Sequence, residues 1–126
     1  MKQWNEVNIF QNVDLHDSFI TGWACTDEIF FIDLDASLWP GHEAYDTPKK
    51  DEYTCYKKAR LIFRNPINII GLLSQNEVEP NKVTEHEIPD YDTIENFEIG
   101  DGKFRLSGEF GDVTLEASAW VFKVAR

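Results

Sequence analysis

Asp14, His16, Asp17 and Ser18 place two carboxylates, an imidazole and a hydroxyl within five residues. These are the groups of a nucleophilic relay, in which a base takes the hydroxyl proton and an acid orients the base. On an extended chain, however, neighbouring side chains point to opposite sides. A relay needs its members in one hydrogen-bonded line, drawn from separated elements. As a metal pair, Asp14 and His16 supply too few ligands for a site. The segment therefore reads as structural: Asp17 or Ser18 caps a turn before a strand, and His16 bonds a backbone carbonyl.

The remaining reactive groups are dispersed. Cys25 and Cys55 form no C-x-x-C pair. Both are expected to be buried, reduced thiols that act as small hydrophobes. His42-Glu43 and Glu85-His86-Glu87 read as solvated surface, because on a strand His86 faces away from its flanking carboxylates. No phosphate-binding glycine loop, dinucleotide fingerprint, nucleophile elbow or zinc-protease motif is present. The expectation is a non-catalytic chain with no cofactor and no bound metal. Trp39, directly before Pro40-Gly41, is the aromatic expected to rim a binding face, since Trp and Tyr are enriched in interfaces.

The elements that position these groups read as strands. Residues 18–25 alternate, with Phe19, Thr21, Trp23 and Cys25 on one side. Residues 29–38 alternate more cleanly. Phe30, Ile32, Leu34, Ala36 and Leu38 share one face, and Phe31, Asp33, Asp35 and Ser37 the other. That period of two marks a half-buried antiparallel strand. Residues 40–52 read as a long surface loop. A strand over 53–64 turns Ala59, Leu61 and Phe63 inward. Asn65-Pro66 fits a helix start, but the short β-branched run 67–73 is assigned to a strand. An edge strand is expected near 83–88, between Pro80 and Pro89. Strands follow over 93–99, with Ile94, Phe97 and Ile99 imperfectly in phase, and over 103–110, with Phe104, Leu106 and Phe110 on one face. One long strand over 113–124 is apolar on both sides near its end, so it is either covered on both faces or bulged near Trp120. The fold class is all-β: one antiparallel domain over 1–126, a sandwich or partly closed barrel of roughly eight strands.

Composition agrees. The 126 residues are 42% hydrophobic and include nine Phe, four Tyr and four Trp. That suffices for one core and argues against disorder. No apolar run approaches the ~20 residues that cross a bilayer. The first residues lack the apolar stretch of a secretory leader, so the expectation is a cytoplasmic protein. The net charge is −11. Residues 1–48 carry nine acids and one base, and 77–102 carry nine acids and Lys82 alone; between them, 49–64 carry six bases and two acids. Such a chain is a poor ligand for nucleic acid or an anionic membrane. A basic protein partner is electrostatically reasonable.

The segment Leu15-His16-Asp17-Ser18-Phe19-Ile20, the strand Ile29-Phe30-Phe31-Ile32-Asp33-Leu34, the later Ala59-Arg60-Leu61-Ile62-Phe63 and the closing Phe104-Arg105-Leu106…Val113-Thr114-Leu115-Glu116-Ala117 resemble a type of small bacterial all-β protein. In that type a His-Asp-Ser or His-Asp-Ala signature opens the first main hairpin. Some of these proteins resemble immunity proteins, which neutralise a cognate toxin in the cytosol. The resemblance implies an all-β fold and a toxin partner, supplies no catalytic residues, and makes the His16-Asp17-Ser18 segment a fold signature rather than a site.

Two functions follow as expectations. The first is an immunity protein that occludes a basic toxin through an acidic face, with Trp39, Glu85, Glu87, Asp90 and Asp92 as contacts, acting as a monomer or homodimer. The alternative is a small-ligand binder or small enzyme with a pocket lined by Asp14, His16 and Asp33.

Overall fold

The computed structural model describes residues 1–81 and 89–125. Among them the chain forms nine strands and no α-helix. They are β1 (Lys2–Gln3), β2 (Val13–Cys25), β3 (Ile29–Leu38), β4 (Cys55–Arg64), β5 (Ile67–Leu72), β6 (Asn96–Ile99), β7 (Lys103–Gly108), β8 (Gly111–Glu116) and β9 (Ala119–Val124). Two sheets result, ordered β2-β3-β4-β9 and β1-β6-β7-β8-β5. Every neighbouring pair is antiparallel. Neither sheet closes on itself, so the architecture is a sandwich rather than a barrel. The sheets meet through aromatic rings: Phe63 of β4 packs edge-on against Phe97 of β6 and Phe104 of β7.

β3 follows its sequence pattern up to Ser37, which belongs to the polar face by phase but is buried. Phe30, Ile32, Leu34, Ala36 and Leu38 are all buried. Each large side chain among them contributes about 1.5–3 kcal/mol by leaving water. β4 answers with Ala59, Leu61 and Phe63 inward, and Phe30 stacks on Phe63 with centroids 5.6 Å apart. Phe97, Ile99, Phe104, Leu106 and Phe110 are also buried, as their spacing predicts, and Ile94, out of phase with Phe97, is buried from outside β6, which begins at Asn96. Residues 67–72 form a strand at one edge of the larger sheet, not a helix. There Gly71 passes so close to β8 that a Cβ would lie 2.0 Å from the Asp112 carbonyl oxygen. The strand expected near 83–88 lies outside the described residues.

β2 departs from its pattern. It begins at Val13, so Asp14 to Ser18 lie inside the strand and not in a turn before it. Asp14 pairs with Ser37 and Phe19 with Asp35, which leaves Leu15 to Ser18 opposite Ala36 alone. Ile20 pairs with Leu34 and Gly22 with Asp33, which leaves Thr21 unpaired. Each bulge reverses which face is inward. The buried set is therefore Val13 and Leu15, then Ser18 and Ile20, then Trp23. The expected face of Phe19, Thr21, Trp23 and Cys25 is corrected accordingly: only Trp23 of that set is buried. Ser18 staples the larger bulge. Its Oγ donates to the Asp14 carbonyl at 2.7 Å and accepts the Ser37 N–H at 2.9 Å.

The expected single strand over 113–124 is two strands. β8 belongs to one sheet and β9 to the other, with Ala117 and Ser118 between them. The change of sheet explains the two-sided apolar pattern. Leu115 and Ala117 face the core from one side, and Phe122 from the other. Trp120 packs among Phe10, Phe97 and Phe104.

Ser18→Ala removes both bulge bonds and leaves a buried N–H without a partner. It is expected to destabilise the fold by about 1–3 kcal/mol, read from the midpoint of urea unfolding; an unchanged midpoint would show that the bulge does not need the hydroxyl.

Candidate functional site

The outer face of the four-stranded sheet carries the polar residues of β3 and β4. Their register sets Asp33 opposite Arg60 and Asp35 opposite Lys58. Arg60 donates to both Asp33 oxygens, at 2.6 and 3.0 Å, while its guanidinium lies 4.0 Å above the Phe31 ring. Lys58 reaches Asp35 at 3.3 Å, and Lys57 reaches Asp46 at 2.7 Å. The hydrogen bond to Lys57 holds the Asp46 carboxyl below its ordinary range. The hydrogen bond to Asp33 raises Arg60 further above its own. Three of the six cations of the basic stretch are thus paired with acids, and strand pairing brings two of those acids to them. An open groove of about 670 Å³ crosses this face, lined by Thr21, Asp33, Lys58, Arg60 and Lys123.

Asp14, His16 and Asp33 do not line one pocket. Asp33 is committed to Arg60. His16 is in the β2 bulge and packs edge-on against Trp4 at 5.3 Å. Asp14 pairs with Ser37, four residues and about 13 Å along β3 from Asp33. Among the described residues no three His, Cys, Asp or Glu side chains form a group able to hold a metal. Cys55 is buried as expected, but Cys25 is exposed, because it lies at the end of β2 beyond the second bulge. Partial burial raises the Cys25 thiol pKa, and the Asp27 charge raises it further. Such a thiol is poorly ionised and a weak nucleophile.

A second cluster occupies the other end of the outer face. Leu38 pairs with Cys55, so Trp39 and Tyr53 leave the same end of the β3–β4 pair. Trp39 is 51% exposed and Tyr53 75%. Tyr53 is nevertheless held. Its hydroxyl donates to Asp17 Oδ2, and the Tyr56 hydroxyl donates to the Tyr53 oxygen at 3.0 Å. The two rings stand edge to face at 6.0 Å, and Phe19 tilts against Tyr56 at the same separation. The bond to Asp17 raises the Tyr53 pKa above its ordinary value. Burial, then the Tyr53 bond and the Asp17 charge, drive that of Tyr56 far higher. Both phenols are therefore neutral donors at physiological pH. Among the described residues no Lys or Arg pairs with Asp14 or Asp17.

Trp39 is thus an exposed aromatic, as its position before Pro40 suggests. Asp90 and Asp92 sit in a turn built on Asn81, whose Nδ2 donates to both carboxylates at 2.7 Å. The backbone of that turn bonds Ile20 through Tyr91 N–H and Asp92 O, each at 2.8 Å. Ile20 pairs with Leu34, so the turn lies on the order of 17 Å from Trp39 along the strands. Glu85 and Glu87 lie outside the described residues. Asp17 and Tyr56 were not among the expected contacts. The outward phase of Tyr56 was legible from its odd spacing to Ala59; the meeting of Asp17 with Tyr53 had no local signal. No protein family, curated protein or solved structure matches this chain.

Two outcomes follow. Two of the four tyrosines should titrate above the ordinary phenol range near 10, read by ultraviolet difference absorbance, and Asp17→Asn should bring Tyr53 back toward it. The folded state binds these phenolic protons more tightly than the unfolded chain, so their stabilisation is complete below about pH 10 and declines as pH rises beyond it. Asp33→Asn should change stability by less than about 1 kcal/mol, because the Arg60 pair is half open to solvent and screened; a larger loss in urea unfolding would make it a structural pair.

Proposed function

We propose that this chain is a cytosolic binding protein that covers a basic surface of a protein partner, in the manner of an immunity protein that occludes a toxin. The observation that carries this reading is the cluster of Tyr53, Tyr56 and Asp17 at the end of the β3–β4 pair from which Trp39 also emerges. It sets exposed aromatic rings beside carboxylates that no cation of the described chain neutralises. Trp and Tyr are enriched among interface hot spots, and uncompensated charge beside them favours a partner of opposite sign. The separation of about 17 Å between Trp39 and the Asp90–Asp92 turn fits within one patch of standard size, about 800 Å² per partner.

The division of labour follows from range. A net charge of −11 acts across several ångströms and accelerates the approach of a cationic surface. The aromatic rings act only on contact and set how long the complex lasts. Coverage of the partner's basic cleft then blocks its polyanionic substrate by occlusion, with no chemical step on this chain.

The test is capture by the tagged protein from lysate of its source cells, with the product of the adjacent gene co-expressed, at low and moderate salt. A single basic polypeptide retained in stoichiometric amount is expected. Added salt and the Asp90→Asn/Asp92→Asn variant should slow its association, and Trp39→Ala should speed its dissociation. Retention of no stoichiometric partner by the folded protein would overturn the reading, as would a complex indifferent to both variants.

A further inference from the structure

We propose that Tyr53 and Asp17 form a seat for one arginine side chain of the partner, a proposal that rests on the reading of this patch as a binding surface. The seat is defined by what is fixed and what is left open. A tyrosine 75% exposed would ordinarily be free to rotate, but the Tyr53 hydroxyl is tied to Asp17 and Tyr56. Its ring is therefore an open aromatic face in a set orientation. Both phenols address the same oxygen of Asp17, Oδ2; Oδ1 accepts no bond among the described residues. The Asp14 carboxylate is close enough to raise the Tyr53 pKa through its charge. The patch thus pairs two acidic side chains with an oriented ring, and among the described residues no Lys or Arg forms an ion pair with either carboxylate.

The ligand that satisfies both halves is a planar cation. A guanidinium can lie over an aromatic face while its in-plane N–H groups donate to a carboxylate. A lysine ammonium is a compact point charge that satisfies the carboxylate but has no plane to stack. This chain contains the completed version of the arrangement. Arg60 lies 4.0 Å above Phe31 and donates twice to Asp33, on the same outer face. Tyr53 and Asp17 repeat the ring and the carboxylate, and the guanidinium is left for the partner to supply. Burial of such a contact under a partner would strengthen it, since cation–π attraction grows when water is excluded. A seat prepared before contact also spares the partner the cost of ordering it.

The experiment uses the intact protein and two probes, N-acetyl-arginine amide and N-acetyl-lysine amide, titrated against the ring proton resonances of Tyr53 and Tyr56. The arginine probe is expected to give a saturable shift and to bind at least roughly three-fold more tightly than the lysine probe. Asp17→Asn and Tyr53→Leu should each remove that preference, while Glu109→Gln, remote in the β7–β8 turn, should keep it. If Tyr53→Leu does not fold, Asp17→Asn alone decides, since it preserves the shape of the side chain. A linear, unsaturable response, equal binding of both probes, or a preference that survives Asp17→Asn would overturn the seat. Salt-sensitive capture of a partner beside an arginine-blind Tyr53 rejects the seat and leaves the proposed function standing; a selective seat on a protein that captures nothing does the reverse.

Discussion

A slip of one residue between β3 and β4 would turn Phe30, Ile32, Leu34 and Leu38 to water and bring Asp33 and Asp35 into the core. Those four apolar side chains are at most 1% exposed. At about 1.5–3 kcal/mol each, their burial is comparable with the whole net stability of a small domain, about 5–15 kcal/mol. The apolar face therefore holds the register, and the polar face follows from it without further choice. Asp33 meets Arg60, Asp35 meets Lys58, and Trp39 and Tyr53 leave the same end of the strand pair. The surface chemistry of this protein is a consequence of its core.

β2 shows how that constraint is relaxed locally. It lies at the edge of its sheet, where a bulge disturbs only one neighbour. The extra residues between Asp14 and Phe19 would leave main-chain groups of β2 and β3 unpaired, and Ser18 supplies the missing bonds from a buried position. A buried hydroxyl with both roles filled costs little; one left empty would be expensive. The bulge also carries Asp17 to the outer face, within reach of Tyr53 and Tyr56. The same edge is closed further along by the Tyr91–Asp92 backbone and by Gln75, whose side-chain oxygen accepts the Trp23 N–H at 2.8 Å. An edge covered in this way is a poor template for uncontrolled strand pairing.

The folded chain has a different electrostatic character from the one its linear charge blocks suggest. A basic stretch between two acidic ones reads as a candidate cationic patch. In the sandwich, three of its cations face acids contributed by other segments. Such exposed pairs add little stability, but they pair half of the cations in the one dense positive stretch of the sequence. The surface keeps a net excess of acid, with exposed Trp39 and Tyr53 at one end of the β3–β4 pair. That combination supports a partner of opposite charge better than it supports a pocket, and it leaves Asp14, His16 and Asp33 in three separate environments.

The sequence by itself determined the all-β class, the span and inward face of β3, the inward faces of β4 and β7, and the exposure of Trp39. These are local properties, because a side-chain period of two is visible wherever one strand face must be dry. Tertiary structure decided the two bulges of β2, the break between β8 and β9, the exposure of Cys25 and the meeting of Asp17 with Tyr53. A bulge is an excess of residues relative to a partner strand, and a change of sheet is a change of partner. Neither exists until distant segments pair. Asp17 and Tyr53 are 36 positions apart, and no local pattern records a contact whose geometry is created by the strands between them.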